Sequence, residues 1–189
     1  MKPRVPPWYL GLVGAAAAQR AAELLRSMGN ERAMRGSRPR ERAAGRFALM
    51  VAVHVGLFTL PLGEVALGLA RPRHPRRWIV AWCGATALRW WAIATLGRQW
   101  NVRGVVAEEL HPVTGGPYRL VRHPNYVAVA SEMVTLPMAG GAWRSALVLT
   151  ALDTLVLWDR IRVEEARLEQ SDGYRRAFAG RKRFIPGVF

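Results

Sequence analysis

The chain has 189 residues, enough for one domain and too few for a second sizeable core. It is 51% hydrophobic with a net charge of +15, and its arginines collect in short loops and a tail between long apolar runs. That segregation argues against a soluble nucleic-acid binder and matches how a small polytopic membrane protein distributes its charge.

Five apolar segments follow one another: Trp8–Leu25, Phe47–Ala70, Trp78–Leu96, Tyr126–Ala139 and Trp143–Trp158. The expected architecture is all-α, a polytopic integral membrane protein with about five transmembrane helices. Three N-terminal membrane helices (1–96) would precede a core formed by 97–189, all in one membrane domain. The first segment has the flavour of a signal peptide, but Pro6-Pro7 interrupt its charged region and the helical pattern continues through Gln19–Leu25. It is therefore read as a retained membrane helix. The fourth and fifth segments are short for a hydrocarbon core that takes about 20 helical residues. Gly140-Gly141 between them marks the tip of a tight hairpin. The Gly11-Leu-Val-Gly14 spacing would let helices approach closely, without fixing an oligomeric state.

Five spans place the loops 26–46 and 97–125 and the tail after 158 on one side. These hold 19 of the 28 Lys and Arg, against 7 on the other side. The richer side is expected to be cytosolic, as in a bacterial inner membrane with its N-terminus outside. Within the spans stand Glu23, His54, Glu64, Arg89, Glu132 and Asp153. Such groups either pair off, for instance Arg89 with Glu64 or Glu132, or line a cavity. Arg89 and Glu132 are the candidates for substrate binding, Glu132 because it lies two turns into the segment that starts at Pro124.

The only cysteine, Cys83, rules out an intramolecular disulfide and a cysteine-based metal site. Histidines 54, 74, 111 and 123 form no i, i+3 or i, i+4 pair, so no metal is implied. The informative stretch is Gly116-Pro-Tyr-Arg-Leu-Val-Arg-His-Pro-Asn-Tyr126, with Glu164-Glu165 downstream. Pro124 suits a first helical turn, which would present His123 and Tyr126 at a helix N-terminus that favours anions. Tyr118 and Tyr126 offer faces to an adenine ring or a sulfonium, and Arg119 and Arg122 offer forked donors to a carboxylate. Glu164 and Glu165 can accept from ribose hydroxyls or an amino group. Together these groups fit the parts of S-adenosylmethionine. The bland alternative makes His123 a capping residue and the two glutamates a solvated face among Arg160, Arg162 and Arg167.

These residues, with Arg160-Ile-Arg-Val-Glu-Glu-Ala-Arg-Leu168 and the closing Arg183-Phe-Ile-Pro-Gly-Val-Phe189, resemble the isoprenylcysteine carboxyl methyltransferase family and its wider phospholipid methyltransferase group. The resemblance covers about residues 95 to 189. Gln19–Glu23, Asn30–Arg32 and Leu88–Gly97 are similar to small bacterial members that accompany type III polyketide synthases and O-methylate alkylpyrones or alkylresorcinols. It implies a membrane methyltransferase that binds S-adenosylmethionine on the cytosolic side and admits a lipophilic acceptor from the membrane lipid. A polyketide synthase would be its pathway neighbour, and nucleic acid is not implied. Gly116, Tyr118, His123, Pro124, Tyr126, Glu164 and Glu165 would hold the cofactor. Arg162 and Arg122 are the candidates for favouring an ionised acceptor, an alkylpyrone or alkylresorcinol hydroxyl or a prenylcysteine-like carboxylate. Two departures stand out: His111 is displaced from where relatives carry a histidine, and Arg38–Arg46 lacks the expected aromatic residue. Two rival readings remain, an NADPH-dependent sterol-type reductase and a non-enzymatic membrane interaction protein. No G-x-G-x-x-G, G-x-S-x-G or P-loop supports a Rossmann-type or hydrolase reading.

Overall fold

The computed structural model describes residues 4–33, 44–102, 112–168, 170 and 172–185. Among the described residues the secondary structure is helical throughout. The helices are α1 (Pro7–Ala33), α2 (Ala44–Ala66), α3 (Pro75–Leu96), α4 (Pro124–Ala139), α5 (Trp143–Leu168) and a short α6 (Asp172–Ala177). The all-α expectation therefore holds, while three boundaries move.

Helix α1 runs past Leu25 to Ala33, with Ser27 Oγ donating to Glu31 Oε1 at 2.8 Å across its last turns. Helix α2 stops at Ala66 rather than Ala70. Gly68, at φ 73°, turns the chain there, and Leu69 N donates to Glu64 O. Helix α5 does not end at Trp158 but continues to Leu168, so Glu164 and Glu165 ride on the same helix as the fifth apolar segment.

Among the described residues, two helical stretches, Phe47–Ala66 and Pro75–Gln99, are long and apolar enough to cross a membrane. Helix α4 has only 16 residues. Helices α1 and α5 are long enough, but Arg20 and Glu23 interrupt the first and Asp153 and Asp159 the second. Large apolar side chains nonetheless cover the outside of the bundle, among them Val80 on α3 and Leu147 and Leu155 on α5. Exposed apolar side chains in this number suit lipid better than water.

The bundle alternates in direction. At one end, Tyr9 of α1 donates through its hydroxyl to Leu136 O of α4 at 3.2 Å, and Glu64 of α2 accepts from Ser145 at the start of α5. At the other end, Asn30 Nδ2 of α1 donates to Gly97 O and Trp100 O beyond α3, at 3.1 and 2.6 Å. The core between them contains Tyr9, Val13, Leu57, Met133, Leu136 and Leu149.

The α4–α5 hairpin turns where the glycine pair stands. Gly141 has φ 76°, and a Cβ there would fall 2.2 Å from Arg71 O. At Gly140 a Cβ would fall 2.4 Å from the Tyr9 ring. Gly141→Ala should therefore destabilise the protein by about 1–3 kcal/mol through backbone strain alone, with the clash in addition. Gly63→Ala, in open space on α2, is the control and should cost nothing. Unfolding of the two variants in detergent checks the contrast.

Candidate functional site

The site assembles where α4 begins and α5 ends. Gly116 opens a short 3-10 turn, Gly116–Arg119, with φ 51°. A Cβ at Gly116 would lie 2.4 Å from Thr95 Oγ1 and 3.0 Å from Trp91 Nε1, so glycine is what lets this turn dock on α3. Docking buries Tyr118 in a cluster with Ala92, Tyr174 and Phe178. Burial, with the neighbouring Glu164 charge, pushes the Tyr118 hydroxyl well above its ordinary range.

Pro124 takes the first helical position of α4, leaving His123 as the N-cap residue. Its side chain does not cap the helix. His123 Nε2 instead lies 3.1 Å from Glu165 Oε1, with both side chains buried. Arg183 donates to the same carboxylate, Nε to Oε1 at 3.0 Å and Nη2 to Oε2 at 2.6 Å. The C-terminal segment reaches this point because Arg122 N donates to Lys182 O at 2.9 Å and His123 N to Arg183 O at 3.0 Å. Arg122 Nε holds Arg181 O at 2.8 Å, and Arg181 Nη1 holds Tyr118 O at 2.8 Å. The tail is thus strapped across the start of α4. Burial would raise the Glu165 carboxyl, but hydrogen bonds from His123 and Arg183 outweigh it and hold the group at about 2.

Beside this pair, the Tyr126 hydroxyl donates to Glu164 Oε2 and accepts from Arg160 Nε at 2.8 Å. The His123 ring centroid lies 5.3 Å from that of Tyr126. Arg160 also reaches Met50 Sδ on α2 at 3.1 Å. Burial alone would lower the Arg160 guanidinium, but Tyr126 and Glu164 leave it raised.

Deeper in the bundle lies a second polar layer. Arg89 on α3 donates through Nε and Nη2 to both oxygens of Glu23 on α1, at 2.6 and 2.7 Å. Its Nη1 reaches Asn125 Oδ1 on α4 at 3.3 Å. Arg20 bridges Glu23, at 2.7 Å, and Glu132. Gln19 and Thr86 complete the bonding of Glu132 at 3.3 Å each. The expected pairing of Arg89 with Glu64 or Glu132 is thereby corrected. Arg89 takes Glu23, Glu132 takes Arg20, and Glu64 binds Ser145 N and Oγ at 2.8 and 2.7 Å. The rotation of α1 decides this, because it turns Arg20 and Glu23 inward together. Beside Glu132, Gln19, Arg20 and Trp82 enclose a cavity of about 10 Å³, room for a single water.

Of the residues singled out from sequence, His123, Pro124, Tyr126, Glu164 and Glu165 come together at one point, with Gly116 and Tyr118 on the adjoining turn. Tyr118 and Tyr126 are both buried, so little of either ring is open to a ligand. Arg122 is committed to the backbone of the tail, and Arg162 stands exposed on α5. Arg89 and Glu132 share the deeper layer, and each makes its hydrogen bonds to other partners. His111, residues 34–43 of the basic loop and the last four residues of the closing motif lie outside the described residues. Sequence reasoning missed Arg183 as a partner of Glu165, and it named Arg160 only within the alternative of a solvated face. The i, i+4 spacing of Arg160 and Glu164, and the i, i+3 spacing of Arg20 and Glu23, were the available signals.

The class that fold and site define is an all-helical membrane bundle with a His–Tyr–Glu–Arg centre at one end of its helices. Residues 78–170, which include the centre apart from its C-terminal strap, match the Isoprenylcysteine carboxyl methyltransferase (ICMT) family. The match makes this segment, just under half of the chain, similar to a family of membrane methyltransferases. The chain is also similar to the uncharacterized protein YpbQ of Bacillus subtilis (strain 168), 27% identical over 166 residues, covering 84% of this chain and 95% of the relative.

Proposed function

We propose that this chain is an integral-membrane methyltransferase that uses S-adenosylmethionine to methylate an oxygen of a lipophilic acceptor. The observation that carries the reading is the meeting of Glu164 and Glu165 with His123 and Tyr126 at the start of α4. The chemistry of these groups suits the cofactor. Half-buried Glu164 offers a carboxylate to a sulfonium or an amino group, and the N-terminus of α4 favours a carboxylate. His123, Glu165 and Arg183 hold the wall of the site in place, so Glu165 acts on the cofactor chiefly by positioning. Five spans, with the Arg-rich loops and tail on the cytosolic side, would place this centre where a soluble cofactor meets a membrane-borne acceptor.

When bound, S-adenosylmethionine supplies an electrophilic methyl that an acceptor oxygen can attack in line. The protein's part is to align the two reactants at about 3–3.5 Å and exclude water, which is worth several kcal/mol. The chain performs this through side chains fixed by mutual bonds: Tyr126 by Glu164 and Arg160, and His123 by Glu165. The acceptor is proposed to be a long-tailed alkylpyrone- or alkylresorcinol-type molecule or a prenylcysteine-like carboxylate.

Equilibrium binding of S-adenosylhomocysteine to detergent-purified protein tests the proposal. Glu164→Gln and His123→Ala should each weaken it about 10- to 100-fold, the range for lost hydrogen bonds to a charged group. Unchanged affinity in both variants, or no binding by folded wild type, would overturn it. Binding of NADPH instead would move the protein to the reductases.

A further inference from the structure

The end of the bundle opposite the His–Tyr–Glu–Arg centre has a cleft of its own. Helix α4 starts at that centre and ends 16 residues later, about 24 Å away. There the chain between α2 and α3 and the α4–α5 hairpin border an open cleft of about 630 Å³. Leu69, Arg71, Arg73, His74, Trp78 and Trp143 are among the residues that line it. A space of that size suits a small ligand or a lipid headgroup.

The walls of the cleft are held by specific contacts. Gly141 comes so close to the loop that a Cβ there would fall 2.2 Å from Arg71 O. Arg144 Nη1 donates to Leu69 O at 3.0 Å, and its guanidinium lies 4.7 Å from the centre of a Trp143 ring. The charge is one-sided. With five spans, this end belongs to the side with 7 of the 28 Lys and Arg, yet Arg71, Arg73, Arg76 and Arg77 stand within seven residues. No Asp or Glu occurs in the chain between Glu64 and Glu108. Glu64 itself is buried and accepts from Ser145 N and Oγ. Among the described residues, none of those four arginines pairs with a carboxylate.

Arg71 and Arg73 are exposed at the cleft, and the His74 side chain makes no capping bond to α3. Forked guanidinium donors gathered on a concave wall without a carboxylate fit a phosphate. The rim says where that phosphate comes from. Leu67 and Leu69 are exposed on either side of Gly68, and Leu147 is exposed one helical turn from Trp143. Trp78 and Trp143 stand in the first turns of α3 and α5, where indole rings favour the boundary between water and lipid. A phosphate with acyl chains meets both halves of this surface, and a free phosphate meets only one.

We propose that this cleft binds the headgroup of an anionic phospholipid, with Arg71 and Arg73 on its phosphate and Leu69, Leu147 and the two indoles along its chains. The site shares no residue with the centre at the other end, so it stands apart from the methyltransferase reading.

The test titrates dioctanoyl-phosphatidylglycerol and dioctanoyl-phosphatidylcholine into the detergent-purified full chain at about 0.15 M salt, which screens diffuse surface attraction. Wild type is expected to bind the anionic lipid at least about 10-fold tighter than the zwitterionic one. Arg71→Gln with Arg73→Gln should abolish that preference. Arg76→Gln with Arg77→Gln removes the same charge beside the lining and should keep most of it. All four side chains are exposed, so both double variants should unfold thermally as wild type does. Equal affinity of wild type for the two lipids would overturn the proposal. Equal loss in the two double variants would do so as well, by reducing the attraction to loop charge in general. Inorganic phosphate that displaces the anionic lipid at equal concentration would make the ligand a free anion and sink the lipid assignment.

Discussion

Glu23→Gln is expected to destabilise the protein by about 3–5 kcal/mol, the largest effect of any single substitution considered for the bundle. Glu23 is 1% exposed and accepts from Gln19, Arg20 and both forks of Arg89. Its charge balances a guanidinium that is itself buried at 5%. Removing the charge leaves Arg89 with neutral acceptors, Asn125 and one amide oxygen, beside the like charge of Arg20 and with Glu132 as the remaining anion that acts on it. The same pair joins three helices, because Glu23 is on α1, Arg89 on α3 and Asn125 on α4. Replacing both partners, Glu23→Leu with Arg89→Met, should cost much less, because a buried pair exchanged for apolar groups of similar volume is close to neutral. Arg20 keeps Glu132 in that double variant. Thermal unfolding in detergent separates the cases. A Glu23→Gln variant within 1 kcal/mol of wild type would show that the layer is hydrated and its charges screened.

The parts of this architecture that could be read along the chain are those specified by neighbouring residues. Pro124 at the first position of α4 and the Gly140-Gly141 tip are local backbone chemistry, and both stand where the pattern put them. The apolar runs located the helices but not their ends. Arg160–Leu168 is polar yet helical, because Ile161 and Glu165 on its inner face are buried. Ion pairing between helices was not legible. Four carboxylates, Glu23, Glu64, Glu132 and Asp153, were available to Arg89, and the choice depends on how each helix is rotated about its axis. Apolar content hardly specifies that rotation in helices covered with apolar residues all round. The strap of Arg183 on Glu165 was hidden for another reason. It needs the chain to return across the start of α4 through backbone bonds of Arg122 and His123, and a short polar segment carries no periodicity to announce such a return. The proximity of His123 to Glu165, 42 residues apart, came from family resemblance and not from spacing.

Glu165→Gln should act on the tail first and on the cofactor through it. The amide keeps the shape of the carboxylate but gives up the charge that binds Arg183 at 2.6 and 3.0 Å. Residues 181–185 would then lose their side-chain anchor and keep only the backbone bonds to Arg122 and His123. Amide exchange in that segment should rise, and S-adenosylhomocysteine affinity should fall about 10-fold or more. Arg183→Ala should reproduce the exchange change. The pH dependence distinguishes a charged anchor from simple packing. The Glu165 carboxyl sits at about 2 in the folded protein against an ordinary 4.5. A depressed carboxyl contributes its stability in full above its unfolded value and loses it as pH falls toward the folded one. Wild type should therefore exceed Glu165→Gln by a constant margin above about pH 5, and the margin should shrink between about 4.5 and 2. Parallel stability curves across that window would mean that the carboxylate charge does not hold the strap, and the positioning role of Glu165 would fall with it.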